Sequence, residues 1–317
     1  MEKIDREDIS ITSKHSNRSK EQIKKLLEQY VYANNEDWRK FINLFLLILG
    51  IGFFVSGVIF FFAYNWADLN KFIKIGIVLI LLITTVVCGI QLKIKESYKN
   101  MLLTAASVIV GVLFAIFGQI YQTGANAYDF FLAWTLFITI WVLAINFYPL
   151  WLLYMILFNT TIILFNEQVQ NNFDTNALTT LIFFINGITL VALLIYSKRK
   201  NNNIPLWFRN TLVLIVTTIA TIGMIDIIFY AKFPEGLLLS SGTLGFFIYG
   251  IIYALKTKST FFIATISFSL LILINSLLIK IFENEAVLIL VSIVVIIATT
   301  AIIKLLLTLQ RKWNNDK

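Results

Sequence analysis

The sequence has few of the residues on which metal and thiol chemistry depend. Its 317 residues include one cysteine, one histidine and three prolines, and only 14% are charged. One cysteine cannot form a disulfide within the chain, and one histidine cannot supply a cluster of histidines for zinc. Catalytic motifs such as HExxH, G-x-S-x-G and the Walker A loop are absent from the sequence. The sequence therefore predicts no metal, no cofactor and no enzymatic activity.

The sequence contains long apolar runs and few charged residues. Hydrophobic residues make up 58% of the chain and the mean hydropathy is +0.81, whereas a soluble domain has about a quarter charged residues. Ten runs have the length of about 18 to 25 residues that crosses a bilayer. They lie at 41–65, 72–92, 101–120, 129–146, 149–165, 177–197, 208–231, 236–255, 260–282 and 286–308. The pattern predicts an all-α polytopic transmembrane helical bundle of about ten spans.

We predict three regions along the chain. Residues 1–40 form a cytosolic N-terminal amphipathic helical segment, residues 41–147 a four-span membrane region, and residues 148–317 a six-span membrane region with a short basic tail. The fourth and fifth runs are separated by four residues that end in Pro149, which fits a turn because proline cannot continue a helical hydrogen-bond ladder. One long kinked span in their place would give nine spans.

The distribution of basic residues favours ten spans. With ten spans, 22 of the 26 Lys and Arg residues lie on the side of the two termini. Basic residues are retained in the cytoplasm during insertion, so both termini are predicted to be cytoplasmic. Nine spans would place the clusters after residue 197 on the opposite side. The net charge of +8 then reflects topology, and we predict no nucleic-acid partner.

The N-terminal segment contains a predicted amphipathic helix. Ser19 and Gln22 have the spacing of a capping box, and apolar residues from Ile23 to Val31 recur at intervals of three and four. The helix either packs on the membrane domain or lies at its surface on the lipid bilayer. Alternatively, the same stripe docks a cytosolic protein partner.

Polar and aromatic residues collect at the predicted outer ends of the spans. One interpretation is an aromatic belt and the acidic residues left where basic ones are withheld. The alternative is an outward-facing polar cavity, because unpaired amides are costly in lipid. The candidate cavity residues are Asn65, Trp66, Asp68, Gln119, Tyr121, Gln122, Asp129, Asp226 and Lys280.

Asp226 is the acidic residue that lies within a span, near the outer end of the seventh. An ionised carboxylate is costly in lipid, so it should face the bundle or pair with a base such as Lys280 or Lys74. It could carry protons or bind a cation, or it could form a structural ion pair.

Other polar and small residues in the spans are predicted to serve packing. Asn159, Asn186 and Asn275 are expected to form hydrogen bonds between helices. Ser241 and Gly245, four residues apart in the eighth span, are expected to let two helices approach closely.

Two motifs carry a resemblance to a known family. The end of the first span reads FFFAYNWADL, and the turn after the third reads FGQIYQTG. Together with the basic N-terminal helix they resemble bacterial membrane proteins catalogued as domain of unknown function 2157, over about residues 10–150. The resemblance implies that Asn65, Trp66, Gly118, Gln119 and Tyr121 belong together, and it implies a bacterial cytoplasmic (inner) membrane location. It implies no activity.

Two functions therefore stay open. The first is a transporter or channel-like protein for an unidentified small solute or ion, which requires the candidate polar residues to converge. The second is a non-catalytic membrane scaffold or partner-binding protein of the cell envelope, which requires a partner at the N-terminal helix or at a small-residue stripe.

Overall fold

The computed structural model describes most of the chain. The described residues are 19–30, 32, 34–64, 69–121, 124, 126–145, 147–170, 174–200, 204–230, 234, 236–282 and 287–315. These residues form eleven α-helices and one π-helical turn, and no strand occurs among them. The all-α prediction is therefore confirmed.

The first helix, α1, spans Lys20–Tyr30 and begins at the predicted capping box. The Ser19 amide donates to Gln22 Oε1 at 3.1 Å, and the Gln22 amide donates to Ser19 Oγ at 3.3 Å. Two helix-terminal amides are thus satisfied reciprocally. Ile23 and Leu27 on the apolar stripe are half-buried. A cytosolic partner for this stripe stays a prediction.

The ten longer helices account for the ten predicted spans. Each contains a segment long and apolar enough to cross a membrane. They are α2 (Asn35–Tyr64), α3 (Lys71–Gln91), α4 (Glu96–Tyr121), α5 (Ala127–Ile145), α6 (Tyr148–Phe165), α7 (Thr175–Lys200), α8 (Leu206–Tyr230), α9 (Leu237–Thr257), α10 (Thr260–Ile281) and α11 (Val287–Asn315).

The structure separates the fourth and fifth spans. Helix α5 ends at Ile145 and α6 begins at Tyr148, with Pro149 in its first turn. Proline suits this position because its missing amide would be unpaired there and its φ is already helical. The described residues thus contain the ten helices that the ten-span prediction requires, and the fourth and fifth runs do not form one helix.

Several helices are longer than the apolar runs that predicted them. Helix α2 begins at Asn35, six residues before the apolar run, and α11 continues to Asn315. Near its end Trp313 is buried in the core of the second unit described below. Apolar packing of α11 therefore continues beyond the apolar run at 286–308 that predicted this span.

The described helices divide into two compact units, α1–α4 and α5–α11. The boundary lies between Tyr121 and Gln122, and the three regions drawn from the sequence stay predictions. In unit 1, α3 packs along α4, and α2 contacts α4. The core of unit 1 contains Phe62, Val78, Ile109 and Ile116.

Unit 2 is built around α8. This helix packs against α6, α7, α9 and α10, while α5 lies on α6 and α11 on α10. Because these helices alternate in direction, α8 and α10 end where α7 and α9 begin. We call this end of unit 2 the Asp226 end and the opposite end the Arg209 end.

Buried polar pairs join helices inside unit 2. Between α6 and α7, the amides of Asn159 and Asn186 donate to each other at 3.1 and 2.7 Å. Between α8 and α10, the hydroxyls of Thr221 and Ser269 lie 2.6 Å apart. The prediction of a bond between helices is confirmed for Asn159 and Asn186. It is not observed for Asn275, whose Nδ2 donates to the Leu271 carbonyl of its own helix. Each of the two pairs fixes the register of two helices.

Candidate functional site

Gly223 sets the position of α8 between its two neighbours. A Cβ atom at this glycine would lie 2.5 Å from Leu239 Cδ2 of α9 and 2.7 Å from Thr179 Cγ2 of α7. The three helices therefore approach closely at this point, as small residues allow in membrane bundles.

This close approach places Asn176 and Asp226 at the same level. Asn176 precedes Thr179 by one turn of α7, and Asp226 follows Gly223 by one turn of α8. Because α7 and α8 run in opposite directions, both steps lead towards the Asp226 end. Residues three apart share a helix face, so each side chain lies on the side of its helix that faces the other.

Neither side chain is satisfied within the described part of the chain. Asn176 is only 6% exposed, and its Oδ1 atom accepts no hydrogen bond there. Asp226 is half-buried and forms no ion pair or hydrogen bond with any described residue. We call Asn176 and Asp226 the acceptor pair.

Helix α10 contributes a hydroxyl at the same level. Ser276 lies seven residues, or two turns, after Ser269, so it shares the face that contacts α8. Ser276 is buried, and its hydroxyl donates to the Ile272 carbonyl at 3.0 Å. Asn275 also has a buried Oδ1 without a partner, but it lies on a different face of α10. Asn275 is therefore not part of the acceptor pair.

The acceptor pair favours positively charged or proton-donating ligands. A buried acceptor without a donor costs about 1 to 3 kcal/mol, and a carboxylate at membrane depth costs about 2.5 to 3.5 kcal/mol or more. Both costs fall when a proton donor or a cation enters. Among the described residues no group of three or more His, Cys, Asp or Glu could hold a metal ion. A single carboxylate with amide oxygens suits a monovalent charge better than a divalent one.

Sequence reasoning identified Asp226 and missed Asn176. The predicted span began at residue 177, which left Asn176 in the preceding turn. In the structure α7 begins at Thr175. The available signal was the spacing of Asn176, Thr179 and Phe183, which share one face at helical intervals.

Four of the nine predicted cavity residues lie outside the described residues: Asn65, Trp66, Asp68 and Gln122. Two more, Gln119 and Tyr121, belong to the last turn of α4 in unit 1 and are exposed. The Tyr121 ring lies 4.5 Å from the Phe117 ring, and Lys71 Nζ lies 6.0 Å from the Tyr121 ring.

The other three residues belong to unit 2. Asp129 Oδ2 accepts the Asn126 amide at 3.0 Å, so this carboxylate caps the start of α5. Lys280 directs Nζ to the Phe229 carbonyl at 3.5 Å, and no ion pair joins it to Asp226. The expected pairing of these two is therefore not observed. The convergence of all nine side chains in one cavity stays a prediction.

A groove in unit 2 is apolar, in contrast to the polar acceptor pair. It lies between α7 and α9, has a volume of about 460 Å³ and is almost entirely apolar. Its walls include Phe183, Gly187, Ala192, Gly242, Gly245 and Tyr249. A groove of this composition suits the hydrocarbon phase of a bilayer, and it does not provide the polar cavity expected from the sequence.

The comparisons with known proteins concern the first half of the chain. Residues 19–151 match the model of a family described as "Predicted membrane protein (DUF2157)". The match includes α1–α5 and the first residues of α6 and confirms the resemblance drawn from the two motifs. No curated protein and no solved structure matches the chain. The acceptor pair lies beyond the matched residues. Over residues 19–151, the chain is similar to the membrane protein family of domain of unknown function 2157.

Proposed function

We propose that this multi-pass membrane protein is a transporter-like or channel-like protein that binds a small cationic species at Asn176 and Asp226. The Asp226 end faces the outside of a bacterial inner membrane, and both termini are cytoplasmic. The observation that carries the proposal is the acceptor pair, which places two acceptors without donors on facing sides of α7 and α8.

The ionisable side chain within a span supports a binding role. At three interfaces, buried polar side chains meet a partner on the neighbouring helix: Thr135 with Thr161, Asn159 with Asn186, and Thr221 with Ser269. Buried polar atoms without a partner also occur at Asn210, Thr217, Thr243 and Asn275. Asp226 differs from these residues because it is ionisable, and ionisable groups inside membranes are functional by default.

The charge and the acceptor atoms of the site determine the class of ligand that can bind. An amide oxygen and a carboxylate both accept hydrogen bonds and both attract positive charge. A proton, an alkali cation or ammonium would satisfy them, whereas an anion would be repelled. The distribution of basic residues supports the outward orientation, since 22 of 26 lie on the side opposite to the Asp226 end in the ten-span arrangement.

A flux assay on the full chain tests the proposal. The protein is reconstituted into liposomes, and the movement of H⁺, Na⁺, K⁺ and ammonium is followed with trapped fluorescent indicators. We expect flux of at least one of these ions in the wild type. Asp226→Asn should lower it by about tenfold or more, because a loss of only about 1.4 kcal/mol in cation binding has this effect. Asn176→Leu should lower it as well.

Asp129→Asn is the matched control. It removes one negative charge from the same end of unit 2, and asparagine can still cap α5. We expect its flux to equal that of the wild type. The proposal is wrong if none of the four ions moves, if Asp226→Asn conducts as the wild type does, or if Asp129→Asn loses as much as Asp226→Asn.

A further inference from the structure

The Arg209 end of unit 2 contains a cation that has no anionic partner among the described residues. Arg209 lies in the first turn of α8 and is half-buried. Its Nε atom is fully buried and donates to no acceptor, and no described residue forms an ion pair or hydrogen bond with its guanidinium. Arginine has five donors in a planar fork that matches the oxygens of phosphate and carboxylate. The guanidinium of Arg209 therefore has hydrogen-bond donors without acceptors among the described residues.

Aromatic packing holds this guanidinium in place. Its Cζ atom lies 5.6 Å from the centre of the Phe262 ring, in the first turn of α10. The Tyr253 ring of α9 lies 5.2 Å from the same ring. A cation over an aromatic face is attracted to it and loses freedom, but its edge donors stay available. Arg209 is therefore positioned before any ligand arrives.

A second basic group lies at the Arg209 end of unit 2. Lys258 lies four residues before Phe262, in the connection between α9 and α10, and its Nζ donates to the Trp313 carbonyl at 3.4 Å. Lys258 is exposed and adopts a left-handed conformation, with φ of 52°, that ends α9. Trp313 is packed into the same core cluster as Phe262. The loop geometry thus keeps the lysine close to the start of α10.

The surroundings are those of a membrane interface. Tyr148, Trp151 and Trp207 lie in the first turns of α6 and α8, at the same end as Arg209. Tyrosine and tryptophan concentrate at the level of lipid headgroups. A basic pocket between helices at this level is the setting in which proteins bind anionic headgroups.

We propose that Arg209, with Lys258 at the same end of unit 2, binds a phosphate group. Two sources share this chemistry, the headgroup of an anionic phospholipid and a soluble phosphate. This site is at the opposite end of unit 2 from the acceptor pair and does not depend on the proposed transport.

The test uses the full chain in detergent micelles. Native mass spectrometry and thermal unfolding measure binding of phosphatidylglycerol, with phosphatidylcholine as the zwitterionic comparison and inorganic phosphate and glycerol 3-phosphate as soluble probes. We expect wild-type protein to prefer phosphatidylglycerol. Arg209→Gln should weaken this binding by about fivefold or more, because the guanidinium makes charge-assisted hydrogen bonds to the phosphate that glutamine cannot replace. Lys258→Asn should have a smaller effect.

The variants separate binding from folding. Asparagine tolerates the left-handed conformation at position 258, so Lys258→Asn removes the charge without straining the turn. Arg209→Lys keeps the charge and loses the planar fork, and it should bind more weakly than the wild type while unfolding at a similar temperature. Lys256→Gln, an exposed lysine in the last turn of α9, is the matched control and should bind as the wild type does.

Each outcome decides the proposal. Binding of phosphatidylglycerol that soluble phosphates do not displace identifies the lipid as the source, and displacement by them identifies the soluble anion. The proposal is overturned if no probe binds, if Arg209→Gln and Arg209→Lys both bind as the wild type does, or if Lys256→Gln loses as much as Arg209→Gln.

Discussion

Asn159 and Asn186 show how single residues specify an interface in unit 2. Each Nδ2 group donates to the partner amide and also to a carbonyl one turn earlier in its own helix, at 2.7 Å for Met155 and 2.8 Å for Ile182. Both N–H groups of each amide are therefore used. Asn186 is only 1% exposed, so water cannot replace a missing partner. The pair fixes the register of α6 on α7.

We expect Asn159→Leu to lower the free energy of unfolding by about 1 to 2 kcal/mol, because Asn186 loses a donor and an acceptor in a dry interior. The double variant Asn159→Leu with Asn186→Leu should cost less than the sum of the two single changes. Thr160→Val is the control: this exposed hydroxyl bonds only to the Ile156 carbonyl of its own helix. Equilibrium unfolding in mixed micelles measures the wild type and all four variants, and strict additivity of the pair would contradict the coupling.

At this scale the sequence identified residue types better than residue partners. It selected Asp226, since a carboxylate inside a span stands out. It also expected Asn159, Asn186 and Asn275 to bond between helices, and the first two do. It could not show that Lys280 turns to the Phe229 carbonyl instead of Asp226. That choice depends on side-chain geometry at the ends of α8 and α10, which composition does not encode.

At the level of helices, the structure shows which small residues allow close packing between helices. On α9 the sequence drew attention to Ser241 and Gly245, but both lie on an exposed face of the helix. The packed positions include Leu239 and Thr243, together with Gly250, where a Cβ atom would lie 2.7 Å from Ile266 Cδ1. Apolar residues occur on every face of α9, so periodicity cannot separate a face that touches lipid from one that touches protein.

A pair of glycine substitutions tests this packing. Gly223→Ala places a Cβ atom against Leu239 and Thr179, and we expect it to destabilise unit 2 by about 1 to 3 kcal/mol. Gly245→Ala meets no atom within 4 Å, so it should be neutral or stabilise α9 by up to about 1 kcal/mol. Thermal unfolding of the two variants in the same detergent gives the comparison. If Gly223→Ala does not destabilise the protein, α8 is not packed as closely as described.

For the whole molecule, the number of spans was predictable and the arrangement of the helices was not. Ten apolar runs of sufficient length gave ten helices, because a bilayer fixes the length of a span. The division after Tyr121 and the central place of α8 in unit 2 depend on which helices pack together. The fit between side chains decides which helices pack together. Because the apolar side chains of the spans are similar in size, the linear sequence contains little information on that fit.

The orientation of the chain leads to a labelling prediction that distinguishes ten spans from nine. In a Cys88→Ala background, single cysteines replace three exposed residues at helix ends: Gln91, Tyr230 and Thr257. With a membrane-impermeant maleimide on spheroplasts, we expect only Tyr230→Cys to react. Gln91→Cys and Thr257→Cys should react once the membrane is permeabilised, because basic clusters next to them are retained in the cytoplasm. If α5 and α6 crossed as one span, Gln91 and Thr257 would lie on opposite sides. Reaction of Thr257→Cys on intact spheroplasts, with Gln91→Cys protected, would therefore contradict the ten-span topology and with it the outward orientation of the Asp226 end.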